Sequence, residues 1–478
     1  MEYITIPIYY NDKQANLYQN ELMNFFIFLT KTHPAFILDK SLETKCRQTI
    51  MQMCEDLYTM DNLTLADFQL KINELLVLLQ DAHTFINIEP SSLYSFAIRY
   101  FNGSFYLYSI SSRYRNVTGK TITSMGSIDM ADIHKRLIEL LPSENEIKVG
   151  IIGSHFLSNR SVIKRLGIDS NALEIGFSDG NKIEILPGTE TNARTNHIAD
   201  IKPNEITSRN PMSFHYCIVD SICYFQFNEM FDSYTYQLGC GLSGEPLNEE
   251  LFHSLPSFLD FLEQMIEEIN RQEVQLLVVD MRYNGGGNSI LGDILLKALN
   301  VDLSDIKGYH TYIRVSEFLK NHFASVLDDS IKTDENSLIE QSRVMKVYKD
   351  IPSPKHTYTK KVVFIQGQNT FSSASYLLTT IKDNHLFPII GMPTSQKPTC
   401  YGDIIPINLP FTNTKGFVSH SFFQRPDSSR NADKTLEPDV KVNTSLESYL
   451  NGIDPCWNWI KESIPSSLIQ AAKDTLQL

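Results

Sequence analysis

Apolar residues recur at three-to-four spacing through the first eighty positions of the chain. Leu17-Tyr18-Gln19-Asn20-Glu21-Leu22-Met23-Asn24-Phe25-Phe26 and Leu65-Ala66-Asp67-Phe68-Gln69-Leu70-Lys71-Ile72-Asn73-Glu74-Leu75-Leu76 both carry such a stripe, which predicts helices with one buried face. Thr64 fits the N-cap of the second. From about residue 92 to 187 the texture changes to short alternating runs such as Ser104-Phe105-Tyr106-Leu107-Tyr108-Ser109-Ile110, which predict strands. Residues 189–212 are polar and read as a connecting segment. After them, Ile222-Cys223-Tyr224-Phe225-Gln226-Phe227-Asn228 and Gln275-Leu276-Leu277-Val278-Val279 read as buried strands, with an amphipathic helix over 258–270 between them. The rhythm continues through Val362-Val363-Phe364-Ile365, a helix over 376–381 and Phe387-Pro388-Ile389-Ile390. Strands alternating with helices predict an α/β core with a central sheet. Residues 328–350 are polar with mixed charge and are expected to form a surface helix or excursion.

Composition narrows the classes. A chain of 478 residues with 42% hydrophobic and 21% charged residues suits a globular protein of several domains. A formal charge of −14 argues against nucleic acid and against an anionic membrane surface, both of which want basic partners. The seven cysteines are scattered, with no CxxC; they read as free or buried thiols of a reducing compartment. No His-Glu-x-x-His or zinc-ligand spacing occurs, so no metal is expected. The start, Met1-Glu2-Tyr3-Ile4-Thr5-Ile6-Pro7, has no basic n-region before an apolar run, and no apolar stretch approaches the roughly 18 residues of a membrane span. The expectation is a cytoplasmic protein without membrane insertion, with export left open for a trimmed chain.

Three segments carry candidate chemistry. Ser372 lies in Thr370-Phe371-Ser372-Ser373-Ala374, directly after the apolar run ending at Ile365. A serine at a strand-to-helix turn is held sharply, its hydroxyl near the positive end of a helix. Lys397 follows in Gly391-Met392-Pro393-Thr394-Ser395-Gln396-Lys397-Pro398; a lysine whose pKa is lowered by burial can accept a hydroxyl proton. Asp280-Met281-Arg282-Tyr283-Asn284-Gly285-Gly286-Gly287 offers glycines whose N–H groups can aim into a pocket as an oxyanion hole. It lacks the Gly-Lys-Ser/Thr ending of a phosphate-binding P-loop. Asp280 and Arg282 are expected to brace this loop.

In their order and spelling these segments, with Glu437-Pro438-Asp439-Val440-Lys441-Val442 near the end, resemble the C-terminal processing (tail-specific) serine peptidases, including the tricorn-type and retinoid-binding-protein-like relatives. The resemblance covers roughly residues 213–444. It implies a crotonase/Clp-protease-like core, a nucleophile at Ser372, oxyanion donors at Gly286 and Ser373, and no cofactor. Ser375 stands where many members have a glutamate, which weakens a simple Ser–Lys assignment. Residues 119–130, followed by a helix expected near 133–141, resemble the second half of a PDZ-like module. The resulting division is a helical region (1–90), a PDZ-like or β-rich region (91–190), a serine peptidase core (200–445) and a C-terminal helical tail (446–478).

The general base stays open at this point. Leu79-Gln80-Asp81-Ala82-His83-Thr84-Phe85 resembles the segment that delivers a histidine in the tricorn-like members, and a neutral imidazole is a base near pH 7 without help. Lys397 and His83 are therefore both candidates. A histidine needs a carboxylate to fix its tautomer, for which Asp433 or Glu437 are the candidates. The expected activity is a serine endopeptidase acting on unfolded tails or peptides, since an extended segment must lie against a strand to present its carbonyl. The alternative is a non-catalytic peptide- or small-ligand-binding protein on the same scaffold. The sequence leaves the oligomeric state open.

Overall fold

The computed structural model describes residues 3–59, 63–89, 92–168, 171–188, 195–197, 209–322, 327, 334–341 and 351–463. Its central sheet runs Phe214–Val219, Ile222–Phe227, Leu276–Asp280, Lys361–Gln366, Ile389–Gly391 and Val440–Lys441 in spatial order. The first pair is antiparallel and the others are parallel. Continuous apolar runs suit such strands because both faces are covered. Leu277, Val279 and Phe364 pack on one face with Leu262, Leu291 and Leu378 from the helices Phe258–Arg271, Ile290–Ala298 and Ser373–Asp383. Leu276, Val278, Val363 and Ile365 pack on the other with Trp457 and Ile460 near the end of the described chain. The expected α/β core is present.

The Pro-Asp-Val element closes this sheet. Asp439 accepts from the Ile389 amide at 2.8 Å and from Lys382 Nζ at 2.8 Å, placing Val440 opposite Ile390.

The amino-terminal stripes fold as the helices Leu17–Thr32 and Leu65–Leu76, with Lys40–Thr59 between them. Thr64 caps as expected, its hydroxyl accepting from the Asp67 amide. These helices cover a second sheet: Ile4–Thr5, Cys400–Asn408, Lys415–Gln424, His310–Val315 and Asp334–Glu340 in order, with Phe85–Ile86 paired to Lys415–Gln424. The stretch expected as a surface helix or excursion thus contains an edge strand, Asp334–Glu340. Edge strands tolerate polar residues on both faces, which hides them from periodicity. Residues 328–333 and 342–350 lie outside the described residues, as does most of the 189–212 connecting segment.

Residues 92–188, joined by the strand Thr195–His197, form two small sheets, as the alternating texture predicted, with strand, turn and strand at Ile122–Met125 and Ile128–Asp129 followed by the helix Met130–Leu140. They also hold a helix the texture did not show, Glu146–Phe156. Its β-branched and glycine-rich spelling hides it. Gly150 lies so close to Tyr100 that a Cβ would stand 2.5 Å from the ring, so glycine here sets the docking distance.

Trp457 is 4% exposed and meets Tyr224 edge-on at 5.6 Å. Trp457→Ala is expected to cost about 3–5 kcal/mol, as large buried aromatic truncations do, read as a lower denaturant midpoint.

Candidate active site

The turn from Gln366 into the helix Ser373–Asp383 is tied to the glycine-rich loop. Phe371 N donates to Asn284 O at 3.0 Å, and Thr370 Oγ1 donates to Met281 O at 2.9 Å. Asn284 Nδ2 anchors the loop in turn on Phe227 O at 2.9 Å. Ser372 adopts φ 52°, ψ −130°, a conformation L residues avoid and which surroundings must enforce. Its amide donates to Gln396 Oε1, whose own Nε2 lies 3.0 Å from Cys400 Sγ.

Gly286 takes φ +100° and packs onto the serine: a Cβ there would lie 2.6 Å from Ser372 Cβ and 2.9 Å from Ser373 N. The two motifs therefore face each other directly. Gly286 N, expected as an oxyanion donor, instead donates to Asn284 Oδ1 at 2.9 Å, an Asx turn that occupies it. Among the described residues, the amides of Ser373 and Gly287 have no acceptor. Ser373 Oγ donates to Gly287 O at 2.7 Å, so the two residues adjoin.

His83 Nε2 lies 3.2 Å from Ser372 Oγ, and its ring stacks on Phe371 with centroids 4.6 Å apart. The strand Phe85–Ile86, paired with Phe417 and Gly416, holds the segment in place. Asp81 fixes it from below. Its Oδ1 accepts from the His83 amide at 2.8 Å. Its Oδ2 accepts from Thr84 Oγ1 at 2.6 Å and Ser419 Oγ at 2.7 Å, and lies 3.1 Å from His33 Nε2. Ala35 N donates to His33 Nδ1 at 3.1 Å, so the proton of a neutral His33 sits on Nε2 and points at Asp81.

Two carboxylates flank His83 Nδ1: Asp81 Oδ1 at 3.5 Å and Glu144 Oε1 at 3.7 Å. Both are buried, and Nδ1 and Glu144 Oε1 have no hydrogen-bond partner at these separations. Burial disfavours the charged ring, but the two carboxylates facing Nδ1, Asp81 and Glu144, outweigh it and raise the His83 pKa to about 9. Burial also works against the charged form of Asp81, yet His33 and His83 hold its pKa well below the usual carboxylate range.

The remaining sequence candidates lie elsewhere. Lys397 Nζ donates to Gln80 Oε1 at 2.9 Å rather than to Ser372. Burial lowers its pKa, Lys434 adding to the effect. Its backbone amide donates to Glu144 Oε2 at 2.9 Å, so it steadies the segments around His83. Asp433 is engaged by Arg425 at 2.9 Å and Arg430 at 2.8 Å, and Glu437 is exposed on the surface; neither flanks His83. The carboxylates that do are Asp81, inside the quoted Asp-x-His string, and Glu144, whose Ser143-Glu144-Asn145 surroundings read as solvated loop. Asp280 and Arg282 brace the loop as expected, Arg282 pairing with Asp280 at 2.6 Å and Asp454 at 2.7 Å.

Ser372, Ser373, His83 and Gly287 open onto one cleft of about 1680 Å³. It has the size to take an extended chain segment. The seven cysteines are all free, and among the described residues no helix is long and apolar enough to cross a membrane.

Comparison with solved structures places this architecture. Mature CPAF complexed with lactacystin superposes with a TM-score of 0.60 at 13% identity, covering 91% of this chain and 95% of that one. Mature CPAF gives 0.59 at 14% identity over 94% and 97%. A photosystem II D1 C-terminal processing protease gives 0.42 at 15% identity over 92% and 99%. At such identities the CPAF likeness establishes the fold. No curated protein sequence matches the chain significantly. Residues 254–442, which hold both the glycine-rich loop and Ser372, match the model of peptidase family S41. With the motif resemblance, this match over residues 254–442 identifies the chain as a serine-type peptidase similar there to peptidase family S41.

Proposed function

We propose that the chain is an endopeptidase of the tail-specific type in which Ser372 is the nucleophile and His83 the general base. The separation of 3.2 Å between His83 Nε2 and Ser372 Oγ carries this reading, since a base must reach the proton it takes. His83 removes the hydroxyl proton as Oγ attacks the peptide carbonyl, and the carbonyl π electrons move onto oxygen. The amides of Ser373 and Gly287 stabilise that oxyanion; one such donor is typically worth on the order of a hundredfold or more in rate. Collapse of the intermediate breaks the C–N bond, and the amine leaves with the proton that His83 returns. Water then attacks the acyl-serine by the same route and frees the acid.

Asp81 and Glu144 position the imidazole and stabilise its charged form. Substrates are extended peptides and unfolded tails, because a packed element cannot thread the cleft to Ser372. The motif resemblance supports the tail-specific assignment.

Fluorophosphonate labelling separates the bases. Ser372→Ala should abolish labelling, and His83→Ala should slow it by roughly 10²–10⁴-fold. Lys397→Ala should retain most reactivity; loss comparable to His83→Ala would reinstate the lysine as base.

The pH profile follows from the raised pKa of His83. Only the neutral ring accepts a proton, so labelling should climb with pH through about 9. In Glu144→Gln one negative charge leaves Nδ1, the charged ring loses support, and the midpoint should move to lower pH. A midpoint that stays or rises contradicts the assignment.

Gly286→Ala adds a Cβ at positive φ directly against Ser372. We expect destabilisation of about 1–3 kcal/mol, as overpacking causes, with strongly slowed labelling. Thermal unfolding and labelling rate read the two effects separately.

A further inference from the structure

One lysine stands in the catalytic cleft with no carboxylate at ion-pair distance among the described residues. Lys148, on the helix Glu146–Phe156, holds its Nζ 3.2 Å from the centroid of Phe371, the residue before Ser372. The same ring stacks against His83, so Lys148 and the reacting groups share one aromatic plate. Among the described residues no carboxylate lies within ion-pair distance of this amine and no acceptor within hydrogen-bonding distance. Among the described residues Lys148 is also the only Lys or Arg lining the cleft, whose acidic side chains there are Glu245, Glu340 and Asp403.

A lysine on a protein surface keeps its charge in water and needs no partner. This one is drawn into the cleft wall on a π face, which attracts the ammonium but satisfies none of its three donors. Burial lowers its pKa to about 8, with Glu144 opposing the shift; the amine is still largely charged at neutral pH and would gain from an incoming anion. A chain of net charge −14 repels anionic peptides in general, so an ammonium held beside the nucleophile discriminates by position rather than by bulk attraction.

We propose that Lys148 is a substrate-recognition residue that binds a carboxylate of the substrate within a few residues of the scissile bond. The carboxylate is either an acidic side chain or the free end of the chain; both offer the same charge-assisted hydrogen bonds to the ammonium. The proposal rests on the peptidase reading of the Ser372 site.

The test uses the full chain and matched peptides. One series places Glu or Gln at each position flanking the cleaved bond; the other carries a free or an amidated carboxyl terminus. At one position or at the terminus, the carboxylate form should have kcat/KM about tenfold or more above its neutral twin. The arm that shows the difference identifies the source. In Lys148→Met that ratio should fall toward one, and in Lys148→Arg it should largely persist; Lys148→Gln replaces Lys148→Met if the latter fails to fold. Ratios within about twofold for every pair, or a ratio unchanged in Lys148→Met, overturn the proposal. Binding of the same peptides to Ser372→Ala protein, read by fluorescence anisotropy, reports carboxylate preference without turnover. Absent fluorophosphonate labelling would sink the peptidase reading alone, whereas absent preference in anisotropy would sink the role of Lys148 alone.

Discussion

The buried carboxylate of Asp81 is the constraint on which the site depends. An ionised group out of water persists only if donors surround it, and here they come from distant parts of the chain. His33 reaches it from the end of the first helix, Thr84 and the His83 amide from its own turn, and Ser419 from the second sheet. Satisfying one charge thus fixes the relative placement of an amino-terminal helix, the base segment and a strand that follows Ser372 in sequence. His83 inherits its position from that hub, which includes Ser419 of the second sheet.

A complementary constraint acts on Ser372, the proposed nucleophile. Ser372 is kept at positive φ because its neighbours leave no alternative: Phe371 is bonded to Asn284, the Ser372 amide is claimed by Gln396, and Gly286 fills the space against its Cβ. Asn284 links the two halves, accepting from Phe371 with its carbonyl, receiving the Gly286 amide on its side chain and donating to the central sheet at Phe227. The glycine-rich spelling therefore serves two ends. Gly286 allows the approach, and Gly287 leaves an amide free. The sequence pointed to glycine amides free to aim into a pocket; which amide stays free depends on the Asx turn at Asn284, which only coordinates reveal.

The same division separates what the sequence disclosed from what it withheld. The central strands were legible because both faces are buried and their apolar runs are continuous, as in Val362-Val363-Phe364-Ile365. Ser372, His83 and the glycine loop were legible because each sits in a local string with a chemical reason to exist. Glu144 was not, since nothing about a glutamate after a helix distinguishes a solvated residue from one buried against Lys397, 253 positions away. The edge strand Asp334–Glu340 escaped for a related reason, its polar faces carrying no period. Asp433 was drawn in by proximity to the Pro-Asp-Val element, yet it answers the buried Arg425.

Lys397 lies beside the site but bonds Gln80 and Glu144, with no bond to Ser372. Its amine rests on Gln80, the residue before Asp81, and its amide holds Glu144, so it ties together the two segments that supply carboxylates to His83. A lysine base and a histidine base make opposite demands there. The first needs its own charge suppressed; the second needs neighbouring carboxylates ionised, and a nearby cation helps them stay so. With Asp81 ionised in a nest of donors and Glu144 in contact with the Lys397 amide, the electrostatics around Ser372 suit an imidazole that becomes charged during the reaction. In the proposed mechanism Lys397 is then a brace at the edge of the site, its amine on Gln80 and its amide on Glu144.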